Sequence, residues 1–172
     1  GNYNIWGRYA DAARIVEPVC QKLGTANVHP DFLTKNANLL AEAYIGLGQY
    51  VPAETLLKRT LSRLDANAKR AFPMFLLGNA YRGQGRFRET EETLKACIPL
   101  YEKQGISCAS IFQSMATLYQ VQGRFEEAEP LFDKSAQMFL VGLGEHPETA
   151  RAYCHHGQMR FAQGKLKEAE QL

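Results

Sequence analysis

Apolar residues recur along most of the chain at intervals of three and four positions, which is the spacing of one face of an α-helix. Leu40 and Tyr44 show this spacing in one segment, and Leu77 and Tyr81 show it in the next. Such segments end at a glycine, which adopts the left-handed conformation that closes a helix at little cost. A second helical pattern follows within a few residues. The pattern therefore predicts antiparallel helical hairpins and an all-α fold.

The hairpins repeat at a regular distance. YRGQGRF at 81–87 returns as YQVQGRF at 119–125, and the glycines that end the helices are 41, 37, 38 and 41 residues apart. We expect a helix reversal near each of them: Gly7, Gly48, Gly85, Gly123 and Gly164. Two columns accompany these glycines, an aromatic or apolar residue two positions later and a small residue five positions later. We expect the small residues to lie where helices cross, and the columns are Tyr9, Tyr50, Phe87, Phe125 and Leu166, then Ala12, Ala53, Thr90, Ala128 and Ala169.

These columns resemble the tetratricopeptide repeat (TPR) family over nearly the whole chain. GRFEEAEPLFDKSA and GEHPETARAYCHHGQMRFAQGKLKEAEQL resemble the kinesin-light-chain type more narrowly, as do HPD at 29–31 and HPE at 146–148, a turn before a helix. The resemblance implies a right-handed α-solenoid of antiparallel helical hairpins, the TPR superhelix. The last hairpin departs from the family pattern, because His156 replaces a leucine and Arg160 replaces a tyrosine.

The repeat map predicts one array over residues 1–172. It divides into a partial repeat at 1–29, repeats at 30–66, 67–104 and 105–145, and a partial repeat at 146–172. Neither end reads as the polar cap that a solenoid needs. We therefore interpret the chain as a piece of a longer protein, and the alternative is a small protein with degenerate terminal repeats.

Composition narrows the function. The chain has 172 residues, 45% hydrophobic and 22% charged, with a formal net charge of +2. This balance gives no reason to expect a nucleic-acid or membrane partner, and no apolar run reaches the ~18 residues that span a bilayer. Four cysteines without CxxC spacing favour a reducing compartment, so we expect a cytoplasmic, intracellular protein.

No motif points to catalysis. CHHG at 154–157 is the strongest metal candidate, but neighbouring histidines point about 100° apart on a helix and no second ligand pair completes a site. The acidic residues Glu126, Glu127 and Glu129 suit a helix N-terminus. RGQG at 82–85 lacks the GK[ST] of a phosphate loop and reads as a hairpin turn. We expect no catalytic residue, no cofactor and no metal.

Binding is the function that the resemblance implies, because first helices of TPRs line a groove that receives a partner peptide or helix. Matching the family pattern position by position predicts a partner-binding groove formed by Lys35, Asn38, Glu42, Phe72, Phe75, Asn79, Arg82, Gln113, Thr117, Gln120, Arg151 and Gln158, with Ile45, Ser110, Cys154 and Phe161 at the remaining positions. Amides there would bind a peptide backbone. Phe72 and Phe75 are either an apolar anchor or core, and Arg82 is expected at a wetter rim.

One subset of the family grips the C-terminal carboxylate of chaperones with a Lys, Asn, Asn, Lys, Arg set. The matching positions here are Asn38, Glu42, Leu76, Ser110 and Ser114, so no member is preserved. A chaperone C-terminal tail is therefore not the expected partner.

Two classes of function remain open. The first is a non-catalytic scaffold or adaptor segment that binds a peptide or helix of another protein. The second is a regulatory or sensor arm of a larger multidomain enzyme or of a transcription or signalling ATPase. Both would use the same groove, and the identity of the partner is not encoded in the fold.

Overall fold

The computed structural model describes residues 3–23, 29–64, 70–144 and 146–165, and every regular element in these ranges is an α-helix. None of the described helices has both the length and the apolar character that crossing a bilayer requires. The helices are α1 (Tyr3–Leu23), α2 (Pro30–Gly46), α3 (Tyr50–Arg63), α4 (Ala71–Gly83), α5 (Phe87–Lys103), α6 (Ala109–Val121), α7 (Phe125–Leu143) and α8 (Pro147–Ala162).

The helices fall into two compact units, Gly1–Thr93 and Leu94–Leu172. In the first unit α1 packs on α2, α2 on α3, and α3 on α4, while α2 also contacts α4. In the second unit α6 packs on α7, α7 on α8, and α6 also contacts α8. Within each unit these helices thus pack on their sequence neighbours, and the pairs α2–α4 and α6–α8 lie side by side, as expected for helical hairpins.

The reversals predicted at Gly48, Gly85 and Gly123 are found, and α8 ends before Gly164 with the same hydrogen-bonding pattern, while the segment after Lys165 lies outside the described residues. Gly48, Gly85, Gly123 and Gly164 all have φ of +73° or +74°. At the second of these, the N–H of Gly85 donates to the carbonyl oxygen of Arg82, and the N–H of Arg86 donates to that of Tyr81, both at 3.0 Å. These two bonds form the Schellman motif that ends a helix on a left-handed residue.

The reversal predicted near Gly7 is wrong. Gly7 lies inside α1, which runs without a break from Tyr3 to Leu23. A glycine permits the left-handed conformation without requiring it. The chain therefore stays helical through Gly7 although the residue spacing matches that of the other turns.

Three small residues of the repeat pattern are fully buried, and Ala12 of the same column is partly buried. Ala53, Thr90 and Ala128 have no exposed surface. The aromatic residue that follows a turn explains why position 83 is a glycine, because a Cβ added to Gly83 would lie 2.2 Å from the ring of Tyr50. The ring of Tyr50 therefore packs against the glycine backbone at the end of α4. Leu166 and Ala169 lie outside the described residues.

The repeated Gln-Gly-Arg of the turns forms a local clasp. The guanidinium of Arg86 lies 4.3 Å from the ring centroid of Tyr81, and that of Arg124 lies 4.1 Å from the ring centroid of Tyr119. Arg86 also forms an ion pair with Glu54 of α3, at 2.7 Å. A cation over an aromatic face is attracted by the ring's charge distribution. The clasp explains why these letters recur at 81–87 and 119–125.

Glu54 is the acceptor that several donors of the first unit share. Burial alone would raise the pKa of this carboxyl, but hydrogen bonds from Lys58, Gln84 and Arg86 outweigh it and lower the pKa to about 2. The lowered pKa means that ionised Glu54 stabilises the fold.

Replacing Gly85 by alanine should destabilise the protein by ~1–2 kcal/mol, because the left-handed conformation places Cβ against the following carbonyl. Gly142 is the matched control, since it lies within a helix and nothing surrounds its position. Gly142→Ala should be neutral or stabilise by ~0.5–1 kcal/mol. Urea unfolding of both variants measures this, and equal effects would contradict the role of Gly85.

Arg86→Met should lower the melting temperature at neutral pH more than Arg88→Met, because Arg88 forms only an exposed pair with Glu92 while Arg86 joins α3, Tyr81 and Glu89. The contribution of Glu54 is complete above its ordinary pKa of 4.5 and is lost as the pH falls towards about 2. The difference between parent and Arg86→Met should therefore shrink over that range. Melting curves that respond equally to both substitutions would argue against the clasp.

Candidate partner-binding site

The predicted groove residues lie on alternate helices, which are the first helices of the hairpins. In the first unit α2 carries three of them and α4 carries four, and these two helices contact each other. In the second unit α6 and α8 are likewise in contact. The residues are Lys35, Asn38 and Glu42 on α2, Phe72, Phe75, Asn79 and Arg82 on α4, Gln113, Thr117 and Gln120 on α6, and Arg151 and Gln158 on α8. We treat α2 and α4 as one face and α6 and α8 as another.

Two amide groups mark the face formed by α2 and α4. The side-chain oxygens of Asn38 and Asn79 are both buried, and neither has a hydrogen-bond partner among the described residues. A buried polar atom without a partner costs roughly 1–3 kcal/mol of desolvation. Both residues keep part of their surface open to solvent, although the two oxygens themselves are buried.

A buried cation lies on the same face. The Nε atom of Arg82 is buried and has no hydrogen-bond partner within the described part of the chain. Burial lowers the pKa of this guanidinium, and the nearby hydroxyl of Tyr50 opposes the effect. Arg82 was expected at a wet rim, and the structure instead places its inner nitrogen within the protein. Its charge is therefore screened less than a rim charge would be.

An acidic group accompanies it on α2. Partial burial raises the pKa of the Glu42 carboxyl, although the residue as a whole keeps an exposed surface. Lys35 lies about two turns earlier on the same helix and is exposed. Together with Arg82, these side chains give the face formed by α2 and α4 both signs of charge around its two amides.

The two phenylalanines divide between the alternatives that the sequence left open. Phe72 is 39% exposed, while Phe75 is partly buried and packs against the core of the first unit. Their rings stack on each other, with centroids 6.1 Å apart. Phe75 thus supports Phe72 from the core side, and Phe72 is the residue that offers apolar surface to a partner.

The face formed by α6 and α8 is also polar, but more of its polar groups have partners within the protein. Gln113 is buried, and its backbone carbonyl accepts a hydrogen bond of 2.9 Å from the hydroxyl of Thr117. Arg151 forms an ion pair with Glu148 one turn earlier on α8. Gln120 is half-buried and Gln158 is exposed. Among the other predicted positions, Phe161 is 66% exposed.

The CHHG segment is divided between solvent and core. Cys154 is exposed, His155 is half-buried, and His156 is buried in the place of a core leucine, as predicted. Within the described ranges no group of three or more His, Cys, Asp or Glu side chains is arranged to hold a metal ion.

The histidines before α2 and α8 have a role that the sequence pattern alone did not reveal. The Nδ1 atom of His29 accepts a hydrogen bond from the N–H of Asp31, and that of His146 accepts one from the N–H of Glu148, at 3.3 and 3.2 Å. Each histidine is therefore the N-cap of its helix, with proline at the next position. The signal was the position of His one residue before a helix-starting proline.

Residues 107–172 match the family model of the tetratricopeptide repeat. Residues 107–172 therefore carry tetratricopeptide repeats. A curated relative, Protein KINESIN LIGHT CHAIN-RELATED 1 of Arabidopsis thaliana, is 28% identical over 139 residues. The match covers 76% of the chain and 23% of the relative, so the chain spans about a quarter of that protein's length.

Solved TPR structures resemble the chain over nearly its whole length. A putative kinesin light chain of Podosopora anserina with nearly identical TPR-like repeats is 23% identical, with a TM-score of 0.67 over 99% of this chain and 85% of that one. BtubC (BKLC) from P. vanneervenii is 17% identical, with a TM-score of 0.70 over 98% of this chain and 69% of that one. The all-α fold class is confirmed, and so is the expected resemblance to TPRs of the kinesin-light-chain type.

A third structure is Bacillus thuringiensis PlcR in complex with the peptide PapR7 and DNA. It is 14% identical, with a TM-score of 0.77 over 95% of this chain and 61% of PlcR. At this identity the likeness shows the fold alone.

Proposed function

We propose that this chain is a non-catalytic interaction module that binds an extended segment of another protein along its first helices. TPRs in general bind proteins or peptides, and the match at 107–172 supports that role for this chain. The observation that carries the proposal is the set of three buried polar atoms without partners on α2 and α4: Asn38 Oδ1, Asn79 Oδ1 and Arg82 Nε.

These three atoms define the chemistry of the partner. An extended peptide backbone offers an N–H and a C=O at every residue, so it donates to the amide oxygens of Asn38 and Asn79. A carboxylate of the peptide then pairs with Arg82, and such charge-assisted hydrogen bonds are about twice as strong as neutral ones. Phe72 contributes apolar contact beside them, because part of its ring is exposed.

Binding would also remove a cost that the free protein bears. Each unpartnered polar atom is desolvated already, so a ligand that supplies the missing hydrogen bond gains the interaction without displacing firmly bound water. In a preformed site the side chains are ordered and desolvated during folding, so binding costs less free energy.

A regulatory or sensor arm of a larger protein is the second candidate. It is favoured by the likeness to PlcR, whose solved structure contains both a peptide and DNA. In that case the face formed by α2 and α4 would bind a regulatory peptide. A segment outside this chain would then carry out the regulated activity. The near-neutral charge of this chain gives no support to direct DNA binding by these residues.

The substitution Asn79→Leu tests the proposal with opposite expected effects on stability and binding. Replacing a buried, unpartnered amide with an apolar group should leave the melting temperature unchanged or raise it. Affinity for peptides selected from a displayed random library should fall by ~1–3 kcal/mol. Thermal melts and fluorescence anisotropy measure the two effects.

Asn36→Leu is the matched control, because Asn36 also lies on α2 but its amide nitrogen already donates to the carbonyl oxygen of Phe32 at 2.8 Å. It should leave affinity unchanged. A chain that selects no peptide would contradict the proposed function. An Asn79→Leu protein that melts earlier and binds as before would show that this amide serves the fold instead.

A further inference from the structure

In the last hairpin, two repeat positions that elsewhere hold an apolar residue and a tyrosine are occupied by a histidine and an arginine. Counting back eight residues from each turn glycine gives Leu40, Leu77, Met115 and His156, and counting back four gives Tyr44, Tyr81, Tyr119 and Arg160. The position of His156 is buried in every repeat, with 3–8% exposure. The last hairpin therefore has a titratable ring and a cation where the other three have an apolar side chain and a tyrosine.

The ring of His156 is held in its neutral form by its contacts. Its Nε2 atom accepts a hydrogen bond from Nε of Arg160 at 3.3 Å, so this nitrogen carries no proton. Its ring stacks on Phe132 of α7, with centroids 6.0 Å apart. Protonation would end the hydrogen bond and place a second positive charge against the guanidinium of Arg160.

The charges around His156 oppose each other. On α7, Asp133 lies 3.1 Å from Nδ1 without the direction of a hydrogen bond, and Glu129 pairs with Arg160. Both carboxylates favour a protonated ring, but Asp133 is half exposed and its field is therefore screened. On α6, the third helix of the unit, Tyr119 is the only ionisable side chain. Burial, the largest effect, lowers the pKa of His156 below its ordinary value of 6.5, and Arg160 adds to the shift.

The start of the same helix is capped by a second histidine. His146 caps α8 by accepting the N–H of Glu148 at Nδ1. Nearby, Glu148 is already paired with Arg151.

We propose that α8 is an acid-sensitive helix, which loosens from α7 when His156 inside it takes up a proton. Unfolded His156 titrates near 6.5 and the folded residue titrates lower. Its contribution to stability is thus complete above pH 6.5 and is lost as the pH falls below that value.

The loss of α8 would change the binding surface. Arg151 and Gln158 lie on α8, so acid would remove them from the face formed by α6 and α8. This consequence for partner release rests on the proposed binding function, whereas the acid sensitivity of α8 does not.

Amide hydrogen exchange of the 172-residue chain at pH 7.5, 6.5 and 5.5, corrected for the intrinsic rate, tests the proposal without any partner. Protection of α8 should fall by up to about fivefold between pH 6.5 and 5.5, because an unfolded histidine with the ordinary pKa of 6.5 is already half protonated at the higher pH. Protection of α4, which contains no histidine, should stay constant.

The variant His156→Leu should keep α8 protected at pH 5.5. Leu is the residue of the first two repeats at this position. His155→Gln, a change at the neighbouring histidine, should retain the parent's loss. If His156→Leu fails to fold, Arg160→Met replaces it, because removing the opposing cation should reduce the acid loss.

Equal protection of α8 at pH 7.5 and 5.5 in the parent would overturn the proposal. So would a folded His156→Leu variant that loses protection as the parent does. Because the readout needs no peptide, a failure here leaves the proposed binding function standing, and a chain that binds no peptide leaves this result interpretable.

Discussion

The left-handed glycine at the end of each first helix is the constraint on which the rest of the structure depends. With φ near +74° and two closing hydrogen bonds, the chain leaves each turn in one direction, and the next helix begins two residues later, at Tyr50, Phe87 and Phe125. The aromatic residue at that start is therefore in a fixed place, and in the first unit the ring of Tyr50 lies against the bare backbone of Gly83. The turn thus determines hairpin geometry, and the hairpin determines which residues the first helices leave on their outer face.

The repeated letters predicted this architecture because each column has a separate physical cause, but no single column was sufficient. Tyr3 and Gly7 have the spacing of the other turns, and α1 nevertheless continues through them. Tyr101 and Gly105 have the same spacing at the end of α5, where Gly105 has φ of +66° and makes the same two closing bonds. Glycine allows the reversal, and packing of a helix on each side makes it occur. Such packing depends on tertiary contacts, so the residues of a single turn do not predict it.

For the candidate site too, the sequence pattern predicted which helix carries each residue but not how closely other helices pack on it. Helical periodicity was enough to place Asn38, Asn79 and Arg82 on first helices, because it depends only on spacing. It could not give their burial, which is set by how closely neighbouring helices approach. Arg82 was therefore expected in water and has a buried Nε, and Phe75 is partly core while Phe72 is exposed. Two of the most informative features, unpartnered amide oxygens and histidine caps, appear only when distances are known.

A repeat protein provides its own reference for what the fold requires, since the same position is occupied several times in one chain. Leu40, Leu77 and Met115 show that an apolar side chain suffices where His156 lies, and three tyrosines show the same for Arg160. The fold therefore does not need the polar pair, and a buried ion-paired network is often no more stabilising than apolar residues of similar volume. The buried amide oxygens of Asn38 and Asn79 also cost free energy, because they have no hydrogen-bond partner among the described residues. Departures that the fold does not require are expected at functional positions, which is why binding and regulation are assigned to these side chains and not to the repeated columns.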